Sequence, residues 1–89
     1  MENILNFILM CVEKLLMYKG IKIDKKEILE SASSALTGPP FFLDAVDMFQ
    51  LCDVIESRYH VLIPEKELIG DQILTISKLN EQISALLRR

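Results

Sequence analysis

The sequence predicts an all-α domain, a small bundle of three long helices and one or two short ones, with a long loop between the first two main helices. Three observations lead there. Apolar residues recur at spacings of three and four in three separate segments, the period of a helix with one face in a core. Breakers at Gly20, at "GPP" (Gly38, Pro39, Pro40) and at Ile63 with Pro64 separate those segments. No stretch alternates apolar and polar residues as a half-buried strand would.

The first helix is expected over about residues 3–19, where Ile4, Leu5, Ile8, Leu9, Val12, Leu15 and Leu16 form its stripe and Gly20 ends it. The following "IKIDKKEILESASSALTGPP" is rich in polar, small and turn-forming residues, so it reads as a loop with one helical turn near residues 25–31. Asp44 then offers a carboxylate to cap a central helix over 45–59, with Asp47 in its first turn, where negative charge suits the helix dipole. Pro64 stops helical continuation, since proline disfavours the α conformation in the residue before it. A short turn is expected in "PEKELIG", with Pro64 at its first position and Gly70 past its end. Thr75 caps the last helix, whose stripe is Ile76, Leu79, Ile83, Leu86 and Leu87, and Arg88 and Arg89 suit its carboxyl end.

The 89 residues make a single domain, 1–89, and half of them (51%) are apolar, a globular composition. Ten Lys and Arg against thirteen Asp and Glu leave a net charge of −3, which argues against nucleic acid as a partner. Glu2, Glu13 and Lys14 interrupt the apolar opening well short of the ~18 residues of a membrane span, so no membrane segment or signal is expected. Cys11 and Cys52 have neither metal-site nor disulfide-framework spacing and read as buried thiols of a reduced, cytoplasmic protein. Met10, Met17 and Met48 fall at helical spacing and read as core filler.

The chain carries no constellation for catalysis. His60, beside Tyr59, has no second histidine, no positioned nucleophile and no group to orient it, so a capping or loop role is expected. Neither a phosphate-binding glycine loop nor a metal-ligand spacing is present. The chain reads as a non-enzyme without a metal.

"DAVD" (Asp44, Ala45, Val46, Asp47), then Leu51, Ile55 and Tyr59, then Ile63 with Pro64, then "TISKLNEQI" from Thr75 follow one another in an order that resembles the acyl carrier protein family. The resemblance covers nearly the whole chain and implies the carrier bundle. In that family the central helix opens with Asp-Ser-Leu, and the serine hydroxyl takes 4′-phosphopantetheine from coenzyme A. Ala45 stands at that place, and a phosphodiester cannot form on a methyl group. The resemblance therefore implies no cofactor for the chain as written, and 4′-phosphopantetheine only if residue 45 is serine in the natural protein. Ser31, Ser33, Ser34 and Ser57 do not substitute, because none lies at a helix amino terminus facing an incoming phosphate. The family often has glycine just before the aspartate. Here the bulky "PPFFL" precedes Asp44, and the approach to the attachment position is expected to pack differently.

At 100° per residue Met48, Leu51, Cys52, Ile55 and Tyr59 gather on the core side of the central helix. Val46 and Phe49 face away, with Asp47, Gln50, Asp53 and Glu56 around them, an apolar centre in a mostly acidic rim of the kind interfaces use. In carrier proteins this helix docks partner enzymes through acidic side chains. Asp44, Val46, Asp47, Phe49, Gln50, Asp53 and Glu56 are accordingly the expected partner-binding residues, and the partners would be biosynthetic or peptide-maturation enzymes with a basic patch.

Three functions stay open at this point. One is a carrier-like module of fatty acid, polyketide or peptide-maturation type, a monomer that docks enzymes but cannot be charged. Another is a phosphopantetheine-dependent acyl or peptidyl carrier with an engineered serine-to-alanine substitution at Ala45. The third is a helical interaction domain related to carriers by fold only.

Overall fold

The computed structural model describes residues 3–63 and 75–88. The turn expected between Pro64 and Gly70 lies outside the described residues. Among the described residues four helices follow in order: α1 (Ile4–Tyr18), α2 (Lys25–Glu30), α3 (Ala45–Tyr59) and α4 (Ile76–Leu87). No helix among the described residues is long and apolar enough to cross a membrane.

Each helix begins where a side-chain oxygen meets an orphan amide. The Leu5 N–H donates to Asn3, Glu27 N–H to Asp24, Asp47 N–H to Asp44 and Lys78 N–H to Thr75. Gly20 ends α1 with φ +84, and the Gly20 and Ile21 amides donate back to the Met17 and Leu16 carbonyls. His60 does the same for α3 in a left-handed conformation, φ +56, so the histidine acts as a cap.

Helix α1 packs against all three others. Phe7, Ile8, Leu9, Val12 and Leu16 are buried, an arc of roughly 200° at 100° per residue rather than a narrow stripe. Phe7, outside the expected stripe, meets Tyr59 edge to face at 5.5 Å, and the Arg58 guanidinium lies over the same ring at 5.7 Å. From α3 come Met48, Leu51, Cys52 and Ile55, from α4 Ile76, Leu79 and Ile83, and from the short α2 Ile28. Several expected core positions are not fully buried. Met17 is exposed because the 100° step sets it opposite the buried arc of α1, Leu87 is exposed in the last turn of α4, and Leu86 is only half-buried. Cys11 is half-buried where Cys52 is buried.

The stretch between α2 and α3 is held rather than loose. The Leu43 N–H donates to the Leu36 carbonyl at 2.9 Å, the Ser77 N–H to Ala32 at 3.0 Å, and an isolated antiparallel bridge joins Ala35 to Thr75. Leu36, Phe41 and Leu43 insert into the core.

Leu51→Ala or Ile55→Ala is expected to cost about 2–5 kcal/mol in urea unfolding, because each leaves a cavity in a packed interior. Phe49→Ala, on the outward side of the same helix, is expected to cost about 1 kcal/mol or less.

Candidate functional site

The candidate site is the amino-terminal half of α3 with the turn that leads into it. Asp44 caps the helix in a reciprocal box: its carboxylate accepts the Asp47 N–H at 2.9 Å, and the Asp47 carboxylate accepts the Asp44 N–H at 3.1 Å. Ala45 follows at the first helical position, and it is exposed. Its methyl stands at the helix amino terminus, beside the Asp44 and Asp47 carboxylates that take each other's backbone amides.

Beyond the cap the outward side carries Val46 (62% exposed), Phe49 (38%) and Val54 (50%), with Gln50 and Asp53 between them. The orientation expected for Val46, Phe49, Gln50 and Asp53 holds. Val54 was not among the expected residues, although the same 100° step already sets it off the core stripe.

The expected acidic rim is smaller than its sequence. Asp47 is buried, and its carboxylate also takes the Lys19 ammonium at 2.5 Å, joining the end of α1 to the start of α3. Glu56 is half-buried, and its carboxylate accepts the Ile63 N–H at 2.7 Å, holding the chain as it leaves α3. Both residues lie on the flanks of the helix, about 100° from the centre of the outward side, where neighbouring backbone or side chains reach them. Asp44 and Asp53 remain the acidic groups exposed to a partner.

The approach to Asp44 also has a specific form. Phe41 and Leu43 are buried, while Phe42 between them is 61% exposed with φ +50. The Phe41 and Phe42 amides both donate to the Gly38 carbonyl, at 3.0 and 2.9 Å. The backbone thus follows a left-handed path that glycine adopts freely and that costs an L-residue roughly 1–2 kcal/mol.

A groove of about 500 Å³ runs between α1 and α3, lined by Cys11, Leu15, Tyr18, Leu51 and Val54, with the Lys19–Asp47 pair at one end. Cys52 lies outside this lining. Burial, and then the charges of Glu56 and Asp53, push its thiol up to about 12, so it stays protonated and unreactive.

Compared with protein-family models, with curated proteins and with solved structures, the chain matches none.

The hydrogen bond from Lys19, and then that from the Asp44 amide, hold the Asp47 carboxyl below its ordinary 3.8. The same hydrogen bond to Asp47 holds the Lys19 ammonium above its ordinary 10.5. A lowered carboxyl contributes stability that is present above the unfolded value and lost as pH falls through the folded one. A raised ammonium contributes stability that is present below its unfolded value and lost as pH rises through the folded one. Thermal melting of the unmodified chain and of Lys19→Gln is therefore expected to differ most between about pH 5 and 10. The gap should close on acidification below the ordinary value of 3.8 and again above 10.5. A gap that persists at about pH 2 would mean that the pair is not its source.

Proposed function

We propose that the chain is a carrier-protein-like docking module that engages biosynthetic or peptide-maturation enzymes through the start of α3 and takes no phosphopantetheine at Ala45. The observation that carries this reading is the placement of Ala45. It is exposed, directly follows the capping Asp44, and sits at a helix amino terminus, where a serine hydroxyl would stand open to solvent. This placement supports reading position 45 as an attachment position of carrier type, with a methyl in place of the nucleophile. The order of "DAVD", Ile63 with Pro64, and Thr75 supports the same family.

The docking surface is Val46, Phe49 and Val54 with Gln50, Asp44 and Asp53. Asp47 and Glu56 support it from within rather than meeting a partner, since their carboxylates are engaged and neither residue is exposed, whereas the capping Asp44 is. A fitting partner offers an apolar depression edged by Lys or Arg, with Asp44 and Asp53 governing the encounter and the apolar centre the lifetime of the complex. The module acts as a monomer, without catalysis of its own.

The exposed position of Ala45 is equally suited to a working carrier whose serine was exchanged for alanine. The residue encoded at position 45 in the natural gene separates the two readings. The family reading itself is tested with coenzyme A and a broad-specificity phosphopantetheinyl transferase. The unmodified chain is expected to show no change in mass, and Ala45→Ser to gain one phosphopantetheine. A folded Ala45→Ser chain that stays inert would leave a helical domain with a fold-level likeness only.

A further inference from the structure

Of the first three residues of α3, Ala45 and Val46 are exposed and only Asp47 is buried. Two hydrogen bonds close this turn as a capping box, the Asp47 N–H donating to Asp44 and the Asp44 N–H donating to Asp47. The second ends on the same carboxylate oxygen of Asp47, Oδ2, that takes the Lys19 ammonium. A single oxygen thus completes the cap of α3 and joins it to the end of α1.

Both donors to that oxygen come from backbone that is already fixed. Lys19 caps α1, its own N–H donating to the Leu15 and Leu16 carbonyls, and the Gly20 and Ile21 amides turn back onto Met17 and Leu16. Leu43, buried and bonded to Leu36, holds the chain just before Asp44. The Asp47 side chain is 12% exposed, so its charge has little water where it stands. Without the ammonium it keeps too few partners, and an underpaired buried charge is costly. Rotation of the side chain into water removes that cost, and the same rotation releases the Asp44 amide from the cap. Met48, Leu51, Cys52 and Ile55 hold the remainder of α3 in the core and do not depend on it.

We propose that the Lys19–Asp47 pair is a latch on the first turn of α3. While the Lys19 charge holds the Asp47 carboxylate, the turn that carries Asp44, Ala45 and Val46 stays closed. Loss of that charge lets this turn open while the rest of α3 remains helical. The end of α1 thereby controls the shape of the surface read above as the docking site. That use of the latch rests on the docking reading, whereas the latch itself does not.

Amide hydrogen exchange tests this, read by NMR at neutral pH and low urea on the unmodified chain, Lys19→Gln and Lys19→Arg. In Lys19→Gln the Asp44 and Asp47 amides are expected to exchange about tenfold faster, at rates that hardly depend on urea, the mark of a local opening. The Leu51 and Ile55 amides should keep a steep urea dependence, because they open only with the whole fold. Lys19→Arg, which keeps the charge, should stay within about threefold of the unmodified chain. An unchanged Asp44 amide in Lys19→Gln would overturn the latch, since the cap would then stand without the pair. Equal urea dependence for Asp44 and Ile55, or loss of helical circular dichroism in Lys19→Gln, would overturn it by showing that the pair supports the fold as a whole. An arginine variant that exchanges as fast as the glutamine one would overturn it by showing that the charge is not what holds the turn. Each of these results concerns the chain alone, so failure of the latch leaves the docking reading to its own test with Ala45→Ser.

Discussion

Helix α1 is the constraint on which the rest of the structure depends. It packs against α2, α3 and α4, and its buried residues cover roughly half of its circumference. A helix so apolar is satisfied only when several partners surround it, because each neighbour covers one stripe. The short α2 contributes through Ile28, and the loop between α2 and α3 adds Leu36, Phe41 and Leu43. These insertions give a chain of this size enough apolar burial to form one core. They also leave the loop little freedom, and so determine how it delivers Asp44 to the start of α3.

The Lys19–Asp47 pair and the capping box meet at that same point. One carboxylate takes the amide of Asp44 and the ammonium of Lys19, so the end of α1 and the start of α3 share an electrostatic joint. A surface ion pair alone contributes little. This one acts together with a helix cap, which gives its geometry a second fixed partner. In consequence the helix presents fewer free carboxylates than its sequence carries. Glu56 repeats the pattern at the other end of α3 by taking the Ile63 amide. The surface available to a partner is accordingly more apolar than acidic, with Val46, Phe49 and Val54 between Asp44 and Asp53.

The reading of function follows from this division between structural and available groups. Ala45 is exposed, and it is chemically inert. The exposed groups near it are apolar side chains and a few charges, and Phe42, also exposed, lies in the turn before the helix.

Helix positions were legible in the sequence because capping and periodicity are local. Asp44, Thr75 and the 100° step of apolar residues determine where α3 and α4 begin and which side of α3 is buried, whatever surrounds them. The same step separates Val46 and Phe49 from Leu51 and Ile55. Other features depended on contacts between residues far apart in the chain. Asp47 and Glu56 look like rim charges because nothing nearby in sequence shows that Lys19, 28 positions away, or the Ile63 amide, 7 away, will reach their carboxylates. Met17 lies opposite the buried arc of α1, and Leu87, in line with Ile76 and Ile83, is exposed in the last turn of α4. Bulk before Asp44 was visible, but only the return of Leu43 to Leu36 decided that Phe41 turns in, Phe42 turns out, and the backbone between them becomes left-handed. Local hydrogen bonding and side-chain period thus determined the elements and the core side of α3. The availability of each charge and ring to a partner was decided by long-range packing, because only packing determines which groups already have a contact inside the fold.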